Sequence, residues 1–117
     1  MANKSITELK MADDTAIHQG DTRALTATVT DSADVAATPT QLKMQFTPPS
    51  GTANATIYAK TPGAGETAFT SETTNTFTAN HLFDEGGWWD VVAVGSGNMD
   101  EADPVRIYVV PVSGAPS

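Results

Sequence analysis

The sequence predicts an all-β protein, a single immunoglobulin-like β-sandwich of about seven to eight antiparallel strands with no disulfide. Three observations predict it. Short runs of strict apolar–polar alternation recur along the chain, broken by Gly, Pro, Asn and Asp clusters. Only 17% of residues are charged, and eighteen threonines stand in their place; threonine is β-branched and suits a pleated, half-exposed surface. The stretch Asp84-Glu85-Gly86-Gly87-Trp88-Trp89-Asp90-Val91-Val92-Ala93-Val94-Gly95 contains a glycine turn, a strand and a closing glycine.

That stretch sets the frame for the rest. Alternate residues of a strand face opposite sides of a sheet, and an aspartate sits badly in a core. Asp90 therefore points outward with Trp88, Val92 and Val94, while Trp89, Val91 and Ala93 point inward. Trp89 is the core anchor, the largest single apolar side chain available to the interior.

In chain order, residues 1–14 form a polar lead carrying Ile6, Leu9 and Met11 and ending in Asp13-Asp14. Their spacing fits one turn of helix loosely and an extended segment at least as well. Three apolar residues are too few for a core of their own. The lead is expected to be an N-terminal arm or edge strand, with Ile6, Leu9 and Met11 as interface candidates seeking a neighbouring subunit. As an arm it would be dispensable to the sandwich, which spans residues 15–112.

Within the sandwich, Gln19-Gly20-Asp21 is a turn, followed by an alternating strand over 22–30 with Leu25, Ala27 and Val29 inward. Asp31–Asp34 turns the chain, and 35–40 is a connection containing Pro39. Residues 41–47 alternate most clearly, with Leu42, Met44 and Phe46 inward, until Pro48-Pro49 ends the ladder. Residues 55–60 predict a shorter strand near an edge, 68–70 a brief one, and 75–80 another that ends in His81-Leu82-Phe83. After the strand over 88–94 comes an acid-rich loop, 98–103, then a closing strand over 105–110. Residues 113–117 are a tail rich in Pro, Gly and Ser.

Composition narrows the function classes. Fourteen acidic against six basic residues give a net charge of −8, a surface that repels phosphate backbones, so no nucleic-acid partner is expected. With no cysteine, neither a disulfide framework nor a thiolate metal site exists. The first residues lack an apolar run of signal-peptide length and no stretch reaches membrane-spanning length, so synthesis in the cytoplasm and no membrane partner are expected. His18 and His81 are the only histidines and both are expected at the surface, one before a turn and one at a strand end. Gly95-Ser96-Gly97 lacks the full nucleophile-elbow pattern. No catalytic residues, no cofactor and no metal site are therefore assigned, and the chain is expected not to be an enzyme. The loop 98–103, with Asp84 and Glu85, offers oxygen ligands for Ca²⁺ but lacks the regular spacing of a calcium loop, which favours solvated acids.

Trp88 is the side chain outside the core with most to say. An outward tryptophan flanked by Tyr58 or Tyr108 suits a protein interface first, a ring lying over neighbouring threonines second, and a sugar platform third. Trp88 and Tyr108 are the interface candidates of the sandwich itself.

Two stretches carry a resemblance. Ile17-His18-Gln19-Gly20-Asp21-Thr22, followed by an alternating strand ending in Asp31, resembles the opening of immunoglobulin-like domains in tailed-bacteriophage virion proteins. Asp84-Glu85-Gly86-Gly87-Trp88-Trp89 resembles their penultimate strand, in which a glycine turn precedes a buried tryptophan, here Trp89. The likeness covers about residues 15–110. It implies a virion structural protein, foremost a capsid decoration (cement) protein that binds the outer surface of the head and stabilises it. The alternative within it is a tail or baseplate component; outside it, Trp88 and Tyr108 as stacking platforms would suit a carbohydrate-binding host-adhesion module. The implied partners are the major capsid protein or another virion protein, in a homo-oligomer or multi-copy assembly, with a glycan as the remaining candidate. The implied location is the capsid surface.

Overall fold

Alternation of the kind described above leaves each strand with one apolar edge row, which must be buried against another sheet. The computed structural model describes residues 4–11, 15–31, 33–96, 99–100 and 105–111. Its strands are β1 (Lys4–Met11), β2 (Ile17–His18), β3 (Thr22–Asp31), β4 (Gln41–Thr47), β5 (Thr56–Ala59), β6 (Thr67–Ala68), β7 (Ser71–Glu72), β8 (Thr76–Leu82), β9 (Gly87–Ser96), β10 (Met99–Asp100) and β11 (Val105–Val110). One sheet has the order β10-β1-β3-β8-β7 and the other β2-β11-β9-β4-β5-β6. The seven strands of four residues or more pair antiparallel with one another. The two-residue strands β2, β6 and β10 add parallel pairings at the margins. This arrangement, β1-β3-β8-β7 facing β11-β9-β4-β5, is that of an immunoglobulin-like sandwich.

The core lies between the sheets. Leu25, Ala27 and Val29 of β3 face Leu42, Met44 and Phe46 of β4 and Trp89, Val91 and Ala93 of β9, all buried to within 2%. Phe77 and Ala79 of β8, with Phe83 just beyond it, complete the floor. Trp89 is the largest of these side chains, and its indole N–H donates to the Glu85 carbonyl at 2.9 Å. A buried ring is thereby left with no unmet donor.

Residues 4–11 are a strand of this sandwich, the edge-strand alternative, and not a free arm. β1 runs antiparallel to β3 from Lys4↔Asp31 to Met11↔Leu25, with a register shift between Ile6 and Glu8. The shift is a β-bulge, and it changes which face the following residues point to. Without it, Ile6 and Leu9, an odd number apart, would lie on opposite faces. With it, Ile6 is buried while Leu9 and Met11 pack against the core, and Glu8 and Lys10 are exposed.

Two local features aim the Trp88–Trp89 strand. Gly87 has φ +120, a conformation that side chains with a Cβ avoid. At Gly86 an added Cβ would lie 2.6 Å from the Cα of Pro111, so the end of β11 passes against bare backbone. Between β6 and β7 the chain crosses from one sheet to the other, and Phe69 at the crossing is 7% exposed, closing the side of the core. The single brief strand expected over 68–70 is thus two shorter ones, one in each sheet. Of the other expected segments, 1–3, 12–14, 97–98, 101–104 and the tail 113–117 lie outside the described residues, which leaves only Met99–Asp100 of the acid-rich loop 98–103 in view.

Candidate functional site

Because Trp89, Val91 and Ala93 fill the core, period two turns Trp88, Asp90, Val92 and Val94 onto the outer face of β9. β11 pairs with β9 in the register Arg106↔Asp90, Ile107↔Trp89 and Tyr108↔Trp88. Ile107 goes inward with Trp89, so Arg106 and Tyr108 come out beside Asp90 and Trp88. Four side chains from two strands are thereby gathered on one patch.

Trp88 is 52% exposed and Tyr108 46%. Their ring centroids are 5.1 Å apart at an interplanar angle of 58°. The Arg106 guanidinium lies over the Trp88 ring, 4.9 Å from its centroid, and its Nε donates to the Asp90 carboxylate at 3.1 Å. An exposed ion pair contributes about 0–1 kcal/mol and an exposed cation–π contact about 0.5–1 kcal/mol. These contacts therefore do little for stability. Their effect is to hold three large side chains in one arrangement on an open surface, which lowers the entropy lost when a partner docks. Arg106 covers one face of the indole, so Trp88 offers a single face for stacking. Val94 is exposed and Val92 half-buried further along the same face.

Tyr58, the other expected neighbour of Trp88, is instead an inward residue, 8% exposed, because its partner across the ladder is the buried Met44. Its hydroxyl lies 2.9 Å from His81 Nδ1 and 3.3 Å from the Asn80 carbonyl oxygen, and burial raises its pKa.

His81 corrects a second expectation. It is 6% exposed and not at the surface. β8 continues its alternation past Ala79, so the row Phe77, Ala79, His81, Phe83 faces inward. The imidazole stacks on Phe46 at 4.3 Å and meets Phe83 and Trp89 edge-on. Its Nε2 is buried and has no hydrogen-bond partner among the described residues. Burial lowers the His81 pKa, opposed by the charge of Asp84, so the ring is neutral at pH 7. His18 is exposed.

A cleft of about 680 Å³ opens beside this cluster, lined by Thr22, Asn54, Thr56, Asn80, Asp84 and others. Its polar groups are hydroxyls, amides, carboxylates and the His81 imidazole. The hydroxyl–imidazole pair among them is Tyr58–His81, both largely buried, with the Tyr58 pKa raised by burial. The Glu85 carboxylate is engaged by the backbone N–H and hydroxyl of Ser50 at 3.1 and 2.7 Å. Among the described residues no group of three His, Cys, Asp or Glu gathers in a way that could hold a metal ion.

Of the interface candidates, then, Trp88 and Tyr108 meet on one exposed patch. Ile6 does not: at 4% exposure it is spent on this chain's own core, and Leu9 and Met11 pack against that core. Arg106 is the member of the patch that the sequence reading missed. The signal that would find it is the cross-strand register, since Arg106 lies opposite Asp90 only once β9 and β11 are aligned on Trp89 and Ile107. No family model, no curated protein and no solved structure matches this chain.

Proposed function

We propose that this chain is a non-enzymatic structural protein that works by adhesion, docking to another protein through the outer face of β9 and β11. The observation that carries the proposal is the exposed cluster of Trp88, Tyr108 and Arg106. Trp, Tyr and Arg are the residue types that dominate binding energy at protein interfaces. Here all three stand on a rigid pair of strands and not on a loop. A sugar platform is less well served, because one indole face is already covered by Arg106.

The partner class is taken from the resemblance of Ile17–Thr22 and Asp84–Trp89 to virion immunoglobulin-like domains. On that basis the partner is a tailed-phage virion protein, first the shell protein of the head, and the chain is a decoration protein on the capsid surface. Many copies, each with a modest interface, would tie neighbouring shell subunits together through avidity alone.

The test is co-sedimentation with heads, lacking this chain, of the phage that carries its coding sequence. Saturable binding by the wild-type chain and its loss in Trp88→Ala, with a cooperative melt showing the variant folded, is the expected result. A wild-type chain that ignores heads and tails, or one whose binding is indifferent to Trp88, Tyr108 and Arg106, refutes the proposal. Glycan-array binding that depends on Trp88 would move the chain to the host-adhesion class.

A further inference from the structure

The outer face of β9 and β11 has a property beyond its exposure: it is complementary to itself. In the register of the two strands, each outward residue of β9 stands opposite its chemical counterpart on β11, Asp90 opposite Arg106 and Trp88 opposite Tyr108. Consider a two-fold axis lying in the plane of the face, along the strands and midway between them. Rotation about it exchanges the places of β9 and β11. The Arg106 of a second copy then comes over Asp90 of the first, and the second copy's Tyr108 over Trp88. Both unlike pairs are formed twice, as an isologous contact requires. Had the register set like beside like, the same rotation would have placed arginine on arginine.

Charge points the same way. The chain carries a net −8, so two copies repel one another over most of their surface. This sheet face is different. Among its described residues Arg106 is paired with Asp90 at 3.1 Å and Lys43 with Glu66 at 2.7 Å, so the charges cancel locally. A neutral, aromatic window on an acidic protein is where another acidic molecule can approach, and a second copy is the acidic molecule whose pattern fits. The contact would also pack sheet against sheet at the usual spacing of about 10 Å.

From this we infer that the outer face of β9 and β11 binds a second copy of the chain in a two-fold pair, with Trp88 against the second copy's Tyr108 and Asp90 against its Arg106. The inference rests on the docking reading above, that this face binds a protein, and names a second copy in place of the shell protein as its occupant.

Sedimentation equilibrium on the full chain tests it. The wild-type chain is expected to dimerise reversibly. Trp88→Ala should weaken the dimer roughly thirtyfold or more, the effect of losing a central interface aromatic. Asp90→Arg alone places arginines on both strands, and Arg106→Asp alone places aspartates on both, so each variant should be monomeric. An equimolar mixture of the two variants should recover a 1:1 heterodimer, because the all-cationic face then meets the all-anionic one. All these positions are exposed, and thermal melts of each variant confirm that it is folded. A wild-type chain that stays monomeric at about 1 mM, the weak end of specific association, overturns the inference. So does a dimer indifferent to these substitutions, or a mixture that fails to recover. If the chain is monomeric yet Trp88→Ala still abolishes head binding, the docking reading stands and only the occupant is wrong.

Discussion

Replacing His81 with phenylalanine probes the interior most sharply. The wild-type imidazole is buried, stacked on Phe46, and neutral, with its pKa held below the ordinary value by burial. In the unfolded chain the same ring has a pKa near 6.5. The unfolded state therefore binds a proton more readily than the folded one, and stability must fall as acid is added. The contribution is fully present above about pH 6.5. Below that, each pH unit costs up to about 1.4 kcal/mol until the folded-state pKa is reached. His81→Phe removes this component. It also loses the 2.9 Å contact with the Tyr58 hydroxyl, worth about 0.5–1.5 kcal/mol, but that hydroxyl keeps the Asn80 carbonyl at 3.3 Å. Eliminating the unpartnered Nε2 offsets the loss, since a buried unsatisfied group costs about 1–3 kcal/mol. At pH 7.5 the two proteins should thus be within about 1–2 kcal/mol of each other. Urea unfolding at half-unit steps from pH 7.5 to 5 is the assay. The wild-type curve should fall away from the His81→Phe curve below pH 6.5 with an unchanged m-value. Parallel curves across that window would show that His81 does not sit buried and neutral.

The other expectations concern packing. Trp89→Ala should cost about 3–5 kcal/mol, a large share of a total stability of about 5–15, whereas Trp88→Ala should cost about 1 kcal/mol or less, both read from urea unfolding. The reverse order would mean that the two tryptophans had exchanged faces. Gly86→Ala should destabilise by about 1–3 kcal/mol, because its Cβ would lie 2.6 Å from the backbone of Pro111; an unchanged melting temperature would show that Pro111 yields freely. Deleting residues 1–11 should unfold the domain or lower its melting temperature by several degrees, since Ile6 leaves the core and β3 loses the whole length of a neighbour. A truncated chain that melts as the full one does would return β1 to the status of an arm.

How much could be read from the sequence follows from how far each signal reaches along the chain. β4 and β11 fall on the expected residues, 41–47 and 105–110, because their alternation is strict and turn residues flank them. β1 hid because its bulge breaks period two: Ile6, Leu9 and Met11 share a face at spacings of three and two. β8 runs to Leu82 much as expected, but a histidine at a strand end suggests a surface residue, when the alternation from Phe77 simply continues through His81 to Phe83 and turns the imidazole inward. The aromatic patch was half legible. Trp88 follows from the orientation of its own strand, but Arg106 is brought to Asp90 by a pairing sixteen residues away in sequence, which no local pattern encodes.

Among the described residues each sheet ends on both sides in a strand of two residues, β10 and β7 in one sheet, β2 and β6 in the other. A strand from another molecule that tried to extend either sheet would find two residues to register on. It would then meet a step of one strand width, about 4.8 Å, where the border retreats to the longer neighbour. Ragged borders of this kind discourage sheets from growing sideways into one another. For a chain of the multi-copy kind proposed above, such borders would leave association to the broad surfaces of the sheets, where side chains choose the partner, and withhold it from the backbone rims, where any extended chain would do.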